Sequence, residues 1–220
     1  CMILHAEHGG GNNSTFTTRV LSSSGTDTYS AISAAIGSLK GPRHGGANIK
    51  VKHMMDELLA NIKDLTDEEE IADYLGKIIT KDAGDGSGLI YGFGHAIYTL
   101  SDPRAKILKK NAKKLSAEKG MTDIYEFYKR VEKLVPSVFE NVKGSKKVIC
   151  ANVDFYSGFV YDMLGIESDL FTPLFAVSRI AGWCAHRIEE ITYGGRIIRP
   201  AYRSMVKPTG YVPLDERTAD

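Results

Sequence analysis

Four short segments place histidine, aspartate and arginine beside glycine: HAEHGGGN at 5–12, GPRHGGAN at 41–48, YGFGHAIYTLSDPRA at 91–105 and NVDFYSG at 152–158. Small residues let a backbone approach a ligand closely, and loops of this sort are where binding and catalytic groups concentrate. Of the 6 histidines, His5, His8, His44 and His95 fall in these settings. The two others, His53 and His186, sit inside helical patterns without glycine neighbours and read as structural or solvent-facing.

Several chemistries are excluded by what does not accompany these residues. His8 followed by glycines has the form of an oxyanion loop, but the chain has no GxSxG elbow. His5 and His8 lack an HExxH pattern or paired cysteines, so no metal site is expected. The glycines at 84, 86, 88, 92 and 94 match neither GxGxxG nor a phosphate-binding P-loop and predict a flexible loop.

Arg104, Arg179 and Arg199 carry more information as a set, because a guanidinium is a rigid fork that binds carboxylates bidentately. Arg179 lies within the apolar stretch FAVSRIAGW, where an unpaired charge is costly to bury. It therefore needs an anionic partner, either a structural Asp or Glu or a ligand. Lys109, Lys110, Lys113 and Lys114 form a basic face that fits a solvated helix surface or contact with the phosphates of a nucleotide-bearing cofactor.

The elements that must hold these groups read as helices. Residues 27–39 predict a helix stopped at Gly41-Pro42. Val51, Met54, Met55, Leu58, Leu59 and Ile62 define an amphipathic helix over 47–65. Thr66 to Glu69 has the form of a capping box leading into Ile71, Tyr74, Leu75, Ile78 and Ile79. Asp102-Pro103 predicts the start of a basic helix, with Asp as N-cap and Pro at the first helical position. A further helix starts at Thr122, and Pro136 should kink or end it. Residues 148–153 fit a short buried strand or an extended approach to the next helix. The last long helix begins near Pro173, and strand signals are confined mainly to 196–200. The fold class is all-α.

The chain has 220 residues, 43% hydrophobic and 25% charged, enough for a sizeable core and against general disorder. A formal net charge of +1 gives no reason to expect nucleic acid or a membrane surface as partner. No apolar run approaches the roughly 20 residues that cross a bilayer, and the first residues do not have the pattern of a signal peptide. The three cysteines, Cys1, Cys150 and Cys184, are odd in number and widely spaced, which fits a reducing, cytoplasmic setting.

Taken in order, the segments resemble the citrate synthase family over the whole chain. GPRHGGAN resembles that family's GPxHGxAN, GFGHAIYTLSDPRA its GxGHxxxxxxDPR, NVDFYSG its NVDxxSG and FAVSRIAGW its FxVSR helix, while HAEHGGGN and IIRP match two further signatures. The resemblance implies condensation of an acyl-CoA thioester with oxaloacetate, without a cofactor. Asp154 would remove a proton from the acyl methyl, His44 would hydrogen-bond the thioester oxygen, and His95 would polarise the oxaloacetate carbonyl. His8, Arg104 and Arg179 would hold carboxylates, and Arg199 would reach into a neighbouring subunit's site. A weakly acidic α-proton yields to a carboxylate base only if the developing oxyanion is stabilised in place, and a dicarboxylate needs fixed cations; both demands are met by this set.

The resemblance also implies a homodimer of two-domain subunits that close over oxaloacetate. The small domain would be residues 45–159, with residues 1–44 and 160–220 belonging to the large one. Family chains carry a large portion before HAEHG, so this chain is expected to be a fragment with exposed apolar faces. At Thr99 some relatives have Arg or Lys near the CoA phosphates, so CoA contacts here are less defined. The alternatives are a 2-methylcitrate synthase acting on propionyl-CoA, a citrate-cleaving relative, or a non-catalytic module that holds oxaloacetate.

Overall fold

Apolar residues at helical spacing build nine α-helices in the computed structural model, which describes residues 1–41, 44–94, 98, 100–144, 148–201, 203, 205–206 and 209–217. They are α1 (Met2–His5), α2 (Asn13–Ser23), α3 (Thr28–Lys40), α4 (Ala47–Asn61), α5 (Glu68–Thr80), α6 (Pro103–Glu118), α7 (Thr122–Lys143), α8 (Val153–Met163) and α9 (Phe171–Tyr193). Among the described residues there is no strand, only an isolated antiparallel bridge between Phe93 and Ala151. The protein is all-α, as its sequence predicts.

Two groups of helices pack separately. The larger core joins Val51, Met55 and Leu58 of α4, Ile71 and Leu75 of α5, Leu108 of α6, Phe127 and Val131 of α7 and Phe155 of α8. The smaller joins Ala35 and Leu39 of α3 to Phe175 and Trp183 of α9, with α2 laid across both helices. Tyr128 stacks on Phe159 and meets Phe155 at a tilt within the larger group, with ring centroids 4.6 and 5.4 Å away.

Local signals explain most helix starts. Asp27 accepts from the Ser30 N–H and caps α3; Asp102 accepts from the Arg104 N–H and caps α6, with Pro103 in the first turn. The cap of α5 differs from expectation. Asp67, not Thr66, takes the N–H groups of Glu69 and Glu70, while the Thr66 hydroxyl donates to Asp64. Glu70, three residues after that cap, accepts from the N–H groups of Lys63 and Asp64. Asp67 wins because its carboxylate reaches two of the helix's free donors at once.

Three further expectations change. Helix α4 ends at Asn61 rather than 65, and Ile62 turns extended while its side chain stays in the core. Pro136 does not end α7, which runs unbroken to Lys143. Val131, Val135 and Val138 are buried on either side of the proline, so packing against α5 outweighs the one backbone hydrogen bond that proline cannot make. Residues 196–200 form no strand; the Ile198 N–H donates to the Ser23 hydroxyl at the end of α2.

The glycine-rich stretch at 82–94 is a loop, as predicted. At Gly92 the loop requires glycine twice over: its φ is +81°, and an added Cβ would come within 2.9 Å of both Phe155 and Val51. Residues 148–152 form the extended approach to α8. The outward side of α9 carries an apolar stripe of Val177, Ala181, Cys184, Ile188 and Ile191, in alternating four- and three-residue steps; Val177, Ile188 and Ile191 are 57%, 65% and 61% exposed. No helix among the described residues is long and apolar enough to cross a membrane.

Candidate active site

Residues from five places in the chain converge where the two helix groups meet: the turn after α1, the turn before α4, and the helices α6, α8 and α9. Asp154 sits in the first turn of α8, where Asn152 caps the helix by accepting the Asp154 N–H at 3.0 Å. Asn152 also donates its side-chain N–H to the Gly94 carbonyl at 3.1 Å, and its backbone N–H to Gly92. One asparagine thus ties Asp154 to the loop that leads into His95. His95 itself, like Thr99, lies outside the described residues.

Burial pushes the Asp154 carboxyl up to about 6; the nearby Arg104 and Arg179 pull it down, and Asp102 pushes it up. Such a carboxyl is ionised at neutral pH yet more basic than an exposed one, as a general base needs to be. Arg104 donates from Nε and Nη2 to Asp102, at 3.0 and 2.8 Å. Its guanidinium also lies over the Tyr98 ring, 5.6 Å from the centroid. His8 stacks on the same ring at 6.0 Å, so Tyr98 connects the two.

Arg179 is fully buried. Its Nε donates to the His5 carbonyl, its guanidinium packs 4.8 Å from the Phe175 ring centroid, and its Nη1 has no partner among the described residues. The structural salt bridge considered from sequence is not made by any described carboxylate. Burial lowers its pKa to about 10, so it stays charged at neutral pH. Burial, and after it the field of Arg179, disfavour the charged form of neighbouring imidazoles: His44 is held below the ordinary histidine value, and the fully buried His5 falls to about 3.

His44 is half-buried, and its Nε2 lies 3.1 Å from the Ser14 hydroxyl. Its turn is fastened by the Gly45 N–H donating to the Leu39 carbonyl and by the Thr172 hydroxyl donating to the Gly45 carbonyl. Ser14 also accepts the Trp183 indole N–H at 3.1 Å and lies 2.8 Å from Asn12 Oδ1. Asn12, Ser14, Asn152 and Trp183 were not singled out from sequence. Serine and asparagine have no periodicity to betray them, and Trp183 reads as core.

Arg199 is not brought into this cluster. It is exposed in the extended segment after α9, and no hydrogen bond or ion pair among the described residues links it to the others. Lys109 on the basic face of α6 is paired with Glu132 on α7. His186, read as structural, bonds to Glu7 at 2.9 Å. A cavity of about 570 Å³ lined by Lys109, Glu126, Arg130 and Glu132 opens elsewhere, on the α6–α7 side, and contains none of the His, Asp and Arg residues described above.

An all-helical fold that sets a desolvated aspartate near a half-buried histidine and two arginines, one of them buried without a described carboxylate partner, offers surroundings suited to an anionic group. Comparison with known proteins narrows this class. Residues 1–201 match the family model described as citrate synthase, C-terminal domain. The chain is 41% identical to a citrate synthase of Synechocystis over 99% of its own length and 50% of the relative's. It is 40% identical to 2-methylcitrate synthase 1 of Corynebacterium glutamicum, over 99% of its length and 51% of the relative's. Its fold matches a citrate synthase from the archaeon Thermoplasma acidophilum, solved as a ternary complex with carboxymethyl coenzyme A and oxaloacetate. The TM-score is 0.74 at 35% identity, covering 98% of this chain and 53% of that one. The chain belongs to the citrate synthase family, and it spans about half the length of the curated relatives it matches.

Proposed function

We propose that this chain supplies the catalytic residues of a citrate synthase, joining the methyl carbon of acetyl-CoA to the carbonyl carbon of oxaloacetate and then hydrolysing the thioester to release citrate and CoA. The observation that carries this reading is the buried Arg179, whose Nη1 has no hydrogen-bond partner among the described residues, within the field of Glu7, Arg104 and Asp154. A fully buried guanidinium with a free N–H edge is costly unless an anion completes it, and oxaloacetate brings two carboxylates.

In this reading Asp154 takes the methyl proton, and His44 donates to the thioester oxygen as negative charge develops there. That role requires the His44 proton on Nδ1. The Ser14 hydroxyl then gives its proton to Nε2 in place of Asn12 Oδ1, while it accepts the Trp183 indole N–H. His95 polarises the oxaloacetate carbonyl; His8, Arg104 and Arg179 hold carboxylates. Arg199, exposed on its extended segment, serves the site of a second subunit in a homodimer. Residues 45–159 act as the small domain and close against residues 1–44 and 160–220, excluding water during condensation. No cofactor takes part, and the reaction belongs to the cytoplasm.

The test is loss of thioester absorbance with oxaloacetate and either acetyl-CoA or propionyl-CoA, since Cys1, Cys150 and Cys184 complicate a thiol reagent. Turnover that disappears in Asp154→Ala supports the reading. Faster turnover of propionyl-CoA would favour a 2-methylcitrate synthase, the second reading, which rests on the 40% identity to the Corynebacterium enzyme. Oxaloacetate binding without any thioester loss would leave a binding module and overturn the catalytic assignment.

A further inference from the structure

Arg179, Gly182 and His186 lie on one face of α9, spaced so that the segment 5–7 can run along it. Each holds a different part of that segment. Arg179 donates to the His5 carbonyl. Gly182 leaves room for the Ala6 backbone, since an added Cβ would overlap the Ala6 carbonyl oxygen and come within 2.5 Å of Glu7 Oε2. His186 Nε2 meets Glu7 Oε1 at 2.9 Å.

Glu7 turns this anchorage into the shape of the next loop. The same Oε1 accepts the His8 N–H at 2.8 Å and the Gly9 N–H, and Gly9 turns with φ +81°. Burial raises the Glu7 pKa, but hydrogen bonds from His186 and from the Gly9 and His8 N–H groups outweigh it and hold the group below the ordinary carboxylate value. After burial, Glu7 exerts the largest influence on Arg179 and favours its charged form. One carboxylate therefore fixes the backbone that presents His8 and supports the charge of Arg179, while His8 stacks on the ring over which Arg104 lies.

We infer that Glu7 is a positioning residue that aligns His8 with Arg179 as one carboxylate-gripping unit, setting affinity for the dicarboxylate substrate without touching it. The inference rests on the proposed reading of His8 and Arg179 as oxaloacetate ligands. It adds a residue that acts through both of them.

Glu7→Gln keeps the shape of the side chain and removes its charge. Calorimetry with oxaloacetate and steady-state thioester loss should show Kd and KM for oxaloacetate raised about tenfold or more, the scale of losing a charged hydrogen bond. The KM for acyl-CoA and kcat should stay within about threefold, and Glu7→Asp should recover part of the affinity. An unchanged oxaloacetate Kd in folded Glu7→Gln overturns the inference. So does an equal loss in kcat and both KM values that follows a lower Tm, which is what a merely structural role would give. If Glu7→Gln does not fold, His186→Asn decides: loosening Glu7 should raise oxaloacetate KM about threefold or more with kcat kept, and no rise overturns it. Absence of oxaloacetate binding by the unsubstituted protein is a separate result, which sinks the reading of the site and not the role of Glu7 alone.

Discussion

The Ser14 hydroxyl and His44 Nε2, contributed by α2 and by the turn before α4, lie 3.1 Å apart, and the Trp183 indole N–H reaches the same hydroxyl from α9. Ser14 has one proton to give, to Asn12 Oδ1 or to His44 Nε2, so which of the two takes it sets the tautomer that His44 adopts.

Ser14→Ala should therefore impair the chemical step rather than substrate capture. Without the hydroxyl, the group that would donate to His44 Nε2 and so favour a proton on Nδ1 is lost, and kcat should fall about 10–100-fold, somewhat less than removal of a direct oxyanion donor costs. The oxaloacetate Kd should stay near its original value. The buried Trp183 N–H loses its partner, so stability should drop by about 1–3 kcal/mol. Kinetics and calorimetry on one preparation check both; unchanged kcat would exclude the coupling.

The pH dependence of kcat/KM should report Asp154. A base works only when ionised, and burial places this carboxyl at about 6. Activity should therefore rise with pH through about 6, rather than through the value near 4 of an exposed aspartate. Burial, and then the field of Arg179, lower the His44 pKa as well, which favours its neutral form. A measured limb near 4 would show that the carboxyl is not desolvated in the working protein.

Arg179→Lys should weaken oxaloacetate binding sharply. A lysine ammonium keeps the charge but cannot donate to the His5 carbonyl and grip a carboxylate in one plane, so a loss of about tenfold to a hundredfold in Kd is expected. Calorimetry reads it directly, and an unchanged Kd would remove Arg179 from the binding set.

The stripe of Val177, Ala181, Cys184, Ile188 and Ile191 on α9 predicts that the 220-residue chain self-associates as its concentration rises. Replacing Val177 and Ile188 with lysine should shift sedimentation toward monomer at little cost in stability, because neither side chain is part of either core. Unaltered association would place the contact elsewhere.

Much of this was legible without coordinates because the relevant forces are local. Asp27 and Asp102 cap helices within three residues of themselves, and the stripe of Val51, Met55 and Leu58 follows from helical periodicity alone. The motif residues His8, His44, Arg104, Asp154 and Arg179 were likewise visible, since their types and glycine neighbours stand out in the chain. Local rules misled where tertiary packing competed with them. Pro136 does not end α7, where buried valines on either side hold the helix, and the suggested strand at 196–200 found no partner strand among the described residues.

The sequence by itself determined the helical class, the caps and the identities of most candidate reacting groups, because each depends on neighbours a few residues away. Only the tertiary structure decided their chemical state. Ser14 meets His44 across 30 positions, Arg179 meets the His5 carbonyl across 174 and Glu7 meets His186 across 179. The raised carboxyl of Asp154, the neutral ring of His5 and the lowered pKa of Arg179 all arise from desolvation and from fields between distant segments. Those quantities depend on distance and burial, which exist only once the helices have packed.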